Sequence, residues 1–170
     1  HEVRYDYEAL CGKLCRVVAR YYAKDLSFIP GRVLGGFKAS EERQRILLYY
    51  NAKFNYSILL MIWPPGAMTL LHDHAGRWCI EFVLQGQLTI WDAFLVGQNQ
   101  EKHYKFEIGD KYVLSQGEPR FWTPPQDYHK VGNASSRVAV SANIYHGELL
   151  NAHMYHEVKG APGWYMAQAC

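Results

Sequence analysis

Two histidines, His72 and His74, are separated by a single residue and follow a short apolar run. In an extended strand the side chains alternate between two faces, so both imidazoles project from one face and Asp73 points to the other. Neutral imidazole is a common ligand of transition-metal ions. The pair therefore predicts half of a metal site. Taken alone, a pair with this spacing more often consists of two ordinary surface or core histidines.

A second motif lies downstream, with the form Pro124-x-Gln126-x-x-His129-x-x-x-Asn133. The two motifs together resemble the two-part pattern of the cupin superfamily, G-x5-H-x-H-x4-(acid)-x6-G followed by P-x-G-x-x-H-x3-N. The matching positions of the first part are Gly66, His72, His74, position 79 and Gly86, and in the second part Gln126 replaces a glycine. This resemblance implies a mainly β protein, a double-stranded β-helix barrel (jelly-roll) with a metal ion inside.

The residue at position 79 narrows the resemblance. Most cupins have a glutamate ligand there, whereas this chain has Cys79. In this respect the chain is similar to the thiol dioxygenases, in particular the cysteine dioxygenase family, which binds one Fe(2+) through three histidines and has a cysteine that forms a thioether with a tyrosine. Further matches are Lys53-Phe54-Asn55, Trp63 and Val140-Ser141-x-x-x-Tyr145.

The resemblance assigns roles to individual residues. It implies that His72, His74 and His129 bind iron, that Cys79 and Tyr145 are a candidate cross-linked pair, and that Trp63 and Tyr145 lie beside the substrate. Three neutral ligands leave the ion its full charge and leave vertices open for a thiolate and O2. The expected function is a dioxygenase that converts a small carboxylate-bearing thiol, foremost L-cysteine, to its sulfinate.

An arginine is expected to hold the substrate carboxylate, because its two parallel N–H donors match two carboxylate oxygens. By the resemblance, this arginine precedes the Lys53-Phe54-Asn55 stretch. Arg45 aligns best when one loop residue is deleted, and Arg43 is the alternative. Both are otherwise explained as solvated side chains of a charged helix.

Two residues depart from the family pattern. The family has Ser-x-His-x-Tyr where this chain has Ser141, Asn143 and Tyr145, which alternation places on one strand face. Asn143 can bond the tyrosine hydroxyl, but it cannot carry a proton as histidine does. The second departure is Glu81, which should face the same side as Cys79. Inside a barrel it must pair with an amine or an arginine, or act as a further metal ligand.

These departures keep two other functions open. One is a cupin oxygenase that acts on a non-thiol substrate, either aromatic or derived from an amino acid. The other is a metal-binding cupin without turnover. The histidines His146, His153 and His156 form a possible second cluster, but lid or surface positions explain them more simply.

The pattern of elements predicts how the site is positioned within one domain. Residues 1–52 are predicted to be a helical N-terminal part, with an amphipathic helix over residues 5–23 and a short helix from Ser40 to about Leu48. Residues 53–148 are predicted to form the β-barrel, and residues 149–170 a C-terminal tail that packs on it.

Composition limits the partners. With a net charge of +2 and no basic cluster, neither nucleic acid nor a membrane surface is an expected partner. The four cysteines have no disulfide-framework spacing, and no charged-then-apolar leader is recognisable, so a reducing, cytoplasmic setting is expected. The resemblance implies a monomer whose partners are a small thiol and O2.

Overall fold

The computed structural model describes residues 6–22, 42–125, 127–147 and 152–169. In these residues one helix, α1 (Tyr7–Tyr22), precedes a series of β-strands. The strands are β1 (Gln44–Asn51), β2 (Tyr56–Trp63), β3 (Leu71–His72), β4 (Cys79–Gln85), β5 (Gln87–Gln98), β6 (His103–Ser115), β7 (Pro119–Trp122), β8 (His129–Gly132), β9 (Ala139–His146), β10 (His153–Glu157) and β11 (Trp164–Ala169).

The strands form two antiparallel sheets. One has five strands in the order β1-β2-β9-β4-β7, and the other closes on itself in the order β10-β11-β6-β5-β8-β3. One face of the five-stranded sheet lines the barrel interior, where Met61, Trp63, Val83 and Tyr145 belong to a buried cluster that also includes Leu88 and Ile90 of β5. The predicted mainly β, jelly-roll barrel is confirmed.

Helix α1 covers the outside of the five-stranded sheet. Cys11 and Cys15 are four residues apart and therefore share one helix face. Both are buried and pack with Trp78 and Ile80 of the region around β4. The Asp6 carboxylate accepts a hydrogen bond from the Ala9 amide (2.9 Å), which caps the helix N-terminus. No helix among the described residues is long and apolar enough to cross a membrane.

The short helix predicted up to Leu48 is wrong. Residues Gln44–Asn51 form strand β1, which pairs with β2 so that Arg45 lies opposite Met61. An apolar run of this length fits helix or strand equally well, and pairing along the edge of β2 decides for strand. Ser40 and Glu41, which suggested the helix cap, lie outside the described residues. The barrel sheet thus begins before residue 53, and the described N-terminal part has one helix.

The C-terminal region contributes strands to the barrel. Met154 of β10 pairs with His72 of β3, and Tyr165 of β11 pairs with Tyr104 of β6. The β10–β11 hairpin thereby closes the second sheet. The sequence pattern predicts a tail over residues 149–170 that packs on the barrel, whereas the strands among these residues are part of the barrel wall.

Asp73 anchors this hairpin to the first histidine motif. Its Oδ1 accepts hydrogen bonds from the amides of Ala75 (3.0 Å) and His153 (2.9 Å). Its Oδ2 accepts from the His153 Nδ1 (3.0 Å) and the Tyr155 hydroxyl (2.9 Å). Asp73 therefore points away from the histidine face, as alternation predicts, and it fixes the segment that carries His72 and His74.

We expect Asp73→Asn to lower the free energy of unfolding by about 2–3 kcal/mol, because charge-assisted bonds to buried donors become neutral or are lost. Urea denaturation of the metal-free protein measures this change without a contribution from metal binding. Asp110→Asn, at an exposed position of β6, is the matched control and should change stability by less than about 0.5 kcal/mol. Equal stability of the two variants would contradict the anchoring role of Asp73.

Candidate metal centre

Three histidines from the two motifs meet inside the barrel. His72 of β3 pairs in register with His129 of β8, and His74 follows two residues after His72. One potential ligand atom from each lies within 4.8 Å of the other two. The ring centroids are 4.5 Å apart for His72 and His129, and 4.9 Å apart for His74 and His129. Among the described residues, this is the group of histidines, cysteines and acids that has the geometry of a metal site.

Hydrogen bonds at the Nδ1 atoms of two of these rings leave their Nε2 atoms available to a metal ion. The Nδ1 of His72 lies 3.0 Å from the Leu70 carbonyl oxygen, and the Nδ1 of His129 lies 3.1 Å from the Asp127 carbonyl oxygen. A carbonyl only accepts, so each Nδ1 carries the proton and each Nε2 keeps its lone pair for an ion. The His74 Nδ1 has no hydrogen-bond partner, and the Asp127 Oδ2 lies 3.7 Å away.

The three rings are uncharged. Burial lowers the pKa of His72 to about 4 and lowers the pKa of His74 and of His129 well below the ordinary value. Metal ligation requires neutral imidazole, so no proton has to leave before an ion binds at neutral pH. The donor set therefore fits a metal ion.

Asp127 connects the two motifs. Its carboxylate Oδ2 accepts a hydrogen bond from the His74 amide (2.9 Å), and its carbonyl accepts from the His129 ring. The side chain is buried, and burial raises its pKa. Asp127 thus fixes the position of His74 relative to His129, and no residue pattern in the sequence indicates this role.

Trp122 supports His129 from the side. Its ring stacks on the His129 ring, with centroids 3.9 Å apart and an interplanar angle of 10°. The Asp92 carboxylate holds the indole by accepting from its Nε1 (3.0 Å), and it also accepts from the Tyr112 hydroxyl and Arg120 (both 2.8 Å). Sequence analysis missed Asp92 and Trp122, because their contacts arise from pairing between strands that are distant in the chain.

The five-stranded sheet forms the opposite wall of the site. Cys79 of β4 lies directly opposite Tyr145 of β9, and burial raises the pKa of both groups well above their ordinary values. The two side chains are in hydrogen-bonding contact. The predicted pair is therefore brought together, and both groups are protonated at neutral pH.

Polar side chains continue along this wall. The Trp63 Nε1 donates to the Ser141 Oγ (2.9 Å), and the Ser141 hydroxyl lies 2.8 Å from the Glu81 Oε1 and 3.1 Å from the Asn143 Oδ1. The Asn143 side chain also bonds Glu81 and Cys79. Ser141, Asn143 and Glu81 thus face the interior, as alternation predicts. Glu81 is not part of the metal-ligand group.

Both candidate arginines line the same cavity as His72 and His129. Arg43 is partly buried, with its guanidinium 5.4 Å from the Trp63 ring centroid. Arg45 is more exposed and lies in register with Met61. In the described parts of the chain, neither guanidinium forms a hydrogen bond or ion pair that would occupy it.

The other histidines do not form a second metal cluster within the described residues. His153 is bonded to Asp73, and His146 stacks on Trp78 with ring centroids 5.8 Å apart. The Nε2 of His156 is buried without a hydrogen-bond partner. His153 therefore has a structural role as a partner of Asp73. The sequence analysis predicted only a lid or surface position for it.

Comparison with known proteins places this site in a family. The family model of cysteine dioxygenase type I matches residues 37–158. The chain belongs to this family. It is therefore a cupin thiol dioxygenase, and the family implies a metal cofactor, typically iron.

One solved structure supports the fold. A protein with a double-stranded β-helix domain from Klebsiella pneumoniae is 13% identical, with a TM-score of 0.51 over 70% of this chain and 89% of that chain. A protein from Thermus thermophilus is 18% identical, with a TM-score of 0.48 over 63% of this chain and 85% of that chain. At 13% identity, the similarity to the Klebsiella pneumoniae protein is evidence for the barrel fold alone.

We expect His74→Ala to weaken the binding of Fe(2+) by more than about 100-fold, because it removes one of three ligands. Elemental analysis after anaerobic loading and desalting should find one ion per chain in the unaltered protein and almost none in the variant. His103→Ala is the control, since its ring lies near Glu101 (3.4 Å) and away from the cluster. Full metal retention by His74→Ala would show that the three rings are not the ligands.

Proposed function

We propose that this protein oxidises a small thiol that carries a carboxylate, with L-cysteine as the first candidate, to its sulfinate. The reaction balances without another reductant, because both atoms of O2 are added to the thiol sulfur. The supporting observation is the cluster of three neutral histidines at a cavity that is also lined by Arg43, Arg45 and Tyr145. A ferrous ion bound at His72, His74 and His129 would favour the thiolate and supply the redox chemistry for O2.

Tyr145 is suited to donate a hydrogen bond to the ligand. Its pKa is raised by burial, so the phenol keeps its proton at neutral pH. Besides the Cys79 thiol, a described acceptor of its hydroxyl is the Met61 Sδ at 4.0 Å, and both sulfur atoms are weak acceptors. A substrate carboxylate would be a much stronger acceptor for this hydroxyl.

Arg45 is the proposed carboxylate ligand. Its partner in register, Met61, lines the cavity, and so does Arg45 itself. Arg43 is held against the Trp63 face, where a cation–π contact restrains its guanidinium. Arg45 is thus the guanidinium with more freedom to form two parallel bonds to a carboxylate.

We expect the iron-loaded protein to consume O2 with L-cysteine and to form the sulfinate. Arg45→Ala should lower kcat/KM by about 10- to 100-fold, mainly through KM, because one charge-assisted pair with the substrate is lost. Arg137→Ala, at an exposed position before β9, is the control and should leave both constants unchanged. No sulfinate from any member of a thiol panel would overturn the proposed function.

We also propose that Cys79 and Tyr145 form a thioether during aerobic turnover. The new bond joins the Cys79 sulfur to the ring carbon beside the phenol oxygen. The S–H and C–H bonds break, and two electrons and two protons pass to O2. Their opposed register and hydrogen-bonding contact support this proposal. Such a bond would hold the phenol in place by removing rotamer freedom.

Intact-mass and peptide mass spectrometry test the thioether. After aerobic turnover, the cross-linked peptide pair should weigh two hydrogen atoms less than the separate peptides. Cys79→Ser should remove this species and lower kcat by up to about 10-fold, because a mobile phenol donates less effectively. Cys11→Ser serves as the control, since Cys11 lies on α1 and packs with Trp78 and Ile80 outside the barrel. Separate, unmodified peptides after many turnovers would contradict the cross-link.

A second candidate function is oxygenation of a non-thiol metabolite. It is favoured by Asn143, which cannot relay a proton as a histidine would, and by Glu81 in the cavity wall. O2 uptake with aromatic or amino-acid-derived compounds but with no thiol would support it.

For the location we propose the cytoplasm, whose reducing conditions suit the free cysteines Cys11, Cys15 and Cys79.

A further inference from the structure

The ring that stacks on His129 belongs to a side chain that gives up an electron readily. Indole and phenol rings are oxidised at lower potentials than the aliphatic side chains that surround them. The Trp122 indole lies almost flat on the His129 imidazole, with centroids 3.9 Å apart and an interplanar angle of 10°. Trp122 is 4% exposed. One imidazole would therefore separate an ion at the histidine cluster from a buried, oxidisable ring.

A carboxylate connects this indole to a phenol. The Asp92 Oδ1 accepts hydrogen bonds from the Trp122 Nε1 (3.0 Å) and from the Tyr112 hydroxyl (2.8 Å). Because both donors share one oxygen, the two side chains are neighbours. Tyr112 is only partly buried, and Arg120, whose guanidinium lies over its ring, is exposed. These contacts lead from the metal centre through Trp122 to Tyr112 and thus toward the surface.

The Tyr112 phenol has a base that can take its proton. A phenol that loses an electron becomes a strong acid, so its oxidation is favoured where a proton acceptor is already bonded to the hydroxyl. The Asp92 carboxylate is that acceptor. The Arg120 guanidinium, 4.5 Å from the ring centroid, disfavours a positive charge on the ring. The electron and the proton therefore leave Tyr112 together, and a neutral ring radical remains.

The phenol that lies nearer to the histidines has no comparable acceptor. The Tyr145 ring centroid is 5.7 Å from that of His74. The described partners of its hydroxyl are the sulfur atoms of Cys79 and Met61, which are weak acceptors. The geometry therefore favours Tyr112 over Tyr145 as the final electron donor.

We propose that Trp122 and Tyr112 form an electron relay that protects the metal centre from a hydroperoxide when no thiol is bound. With hydrogen peroxide, the ferrous ion and Tyr112 each give one electron, the second of them through Trp122. The O–O bond breaks, and two protons from solvent complete two water molecules. The Tyr112 proton moves to Asp92. A soluble reductant such as ascorbate then returns a hydrogen atom to Tyr112, and Asp92 releases its proton to solvent.

The test exposes the ferrous protein to hydrogen peroxide without any thiol, freezes it rapidly and records its EPR spectrum. We expect a tyrosyl radical in the unaltered protein. Tyr112→Phe keeps the ring beneath Arg120 but lacks the hydroxyl, and Trp122→Phe keeps a ring beside His129 but lacks the indole. Each variant should lose the tyrosyl signal, because the first removes the final donor and the second removes its link to the metal centre.

Peptide mass spectrometry gives a second readout of the same samples. In the unaltered protein, added oxygen should be found on Tyr112. Without the relay, the oxidation remains at the metal centre, so the peptides that carry the ligand histidines should gain oxygen instead. Repeated additions of peroxide and ascorbate should then destroy iron binding faster in Tyr112→Phe than in the unaltered protein.

A tyrosine on the same strand serves as the matched control. Tyr104 of β6 is also partly buried, but its ring contacts Tyr155 rather than a ligand histidine. Tyr104→Phe should give the signal of the unaltered protein. Melting temperatures and bound iron, measured before peroxide is added, report whether each variant is folded and loaded. If Trp122→Phe is not, Tyr112→Phe, which lacks a single hydroxyl, decides alone.

The outcomes separate the relay from the proposed function. Loss of the signal in the relay variants but not in the control supports the relay. A signal that persists in Tyr112→Phe or in folded, iron-loaded Trp122→Phe overturns it, as does equal loss in the control or no signal in the unaltered protein. Since no thiol is present, these results do not depend on sulfinate formation, which is measured separately.

Discussion

Three imidazole rings can face one point inside a protein only if all three are uncharged. Burial removes the charge of His72, His74 and His129. Backbone carbonyls hold two of the rings, and the carboxylate of Asp127 lies beside the third. The barrel supplies this arrangement by joining β3 to β8, so that two motifs distant in the chain become neighbours.

The opposite wall of the cavity follows from strand alternation. One face of β4 and β9 presents Cys79, Glu81, Asn143 and Tyr145 toward the interior, where the substrate would lie between this wall and the histidines. Period-two alternation within a strand can be read from sequence, so the shared face of these residues was predictable. The candidate ligand histidines were equally predictable, because the spacing within each of the two motifs is specific.

Other features depend on contacts between distant segments. The strand Gln44–Asn51 has a composition that fits a helix, and its pairing with β2 becomes visible only in the fold. The same holds for the hairpin that Asp73 anchors and for the stacking of Trp122 on His129. A buried acid needs a partner, and the sequence does not show which residue this is for Glu81. The structure shows that the Ser141 hydroxyl donates a hydrogen bond to its carboxylate.

The central claim is that the three-histidine cavity adds both atoms of O2 to a thiol. The most direct measurement is mass spectrometry of the product formed from L-cysteine by the iron-loaded protein under O2 labelled with a heavy oxygen isotope. The cavity chemistry predicts a sulfinate in which both oxygens are heavy. A product limited to disulfide, or a sulfinate whose oxygens come from water, would contradict it.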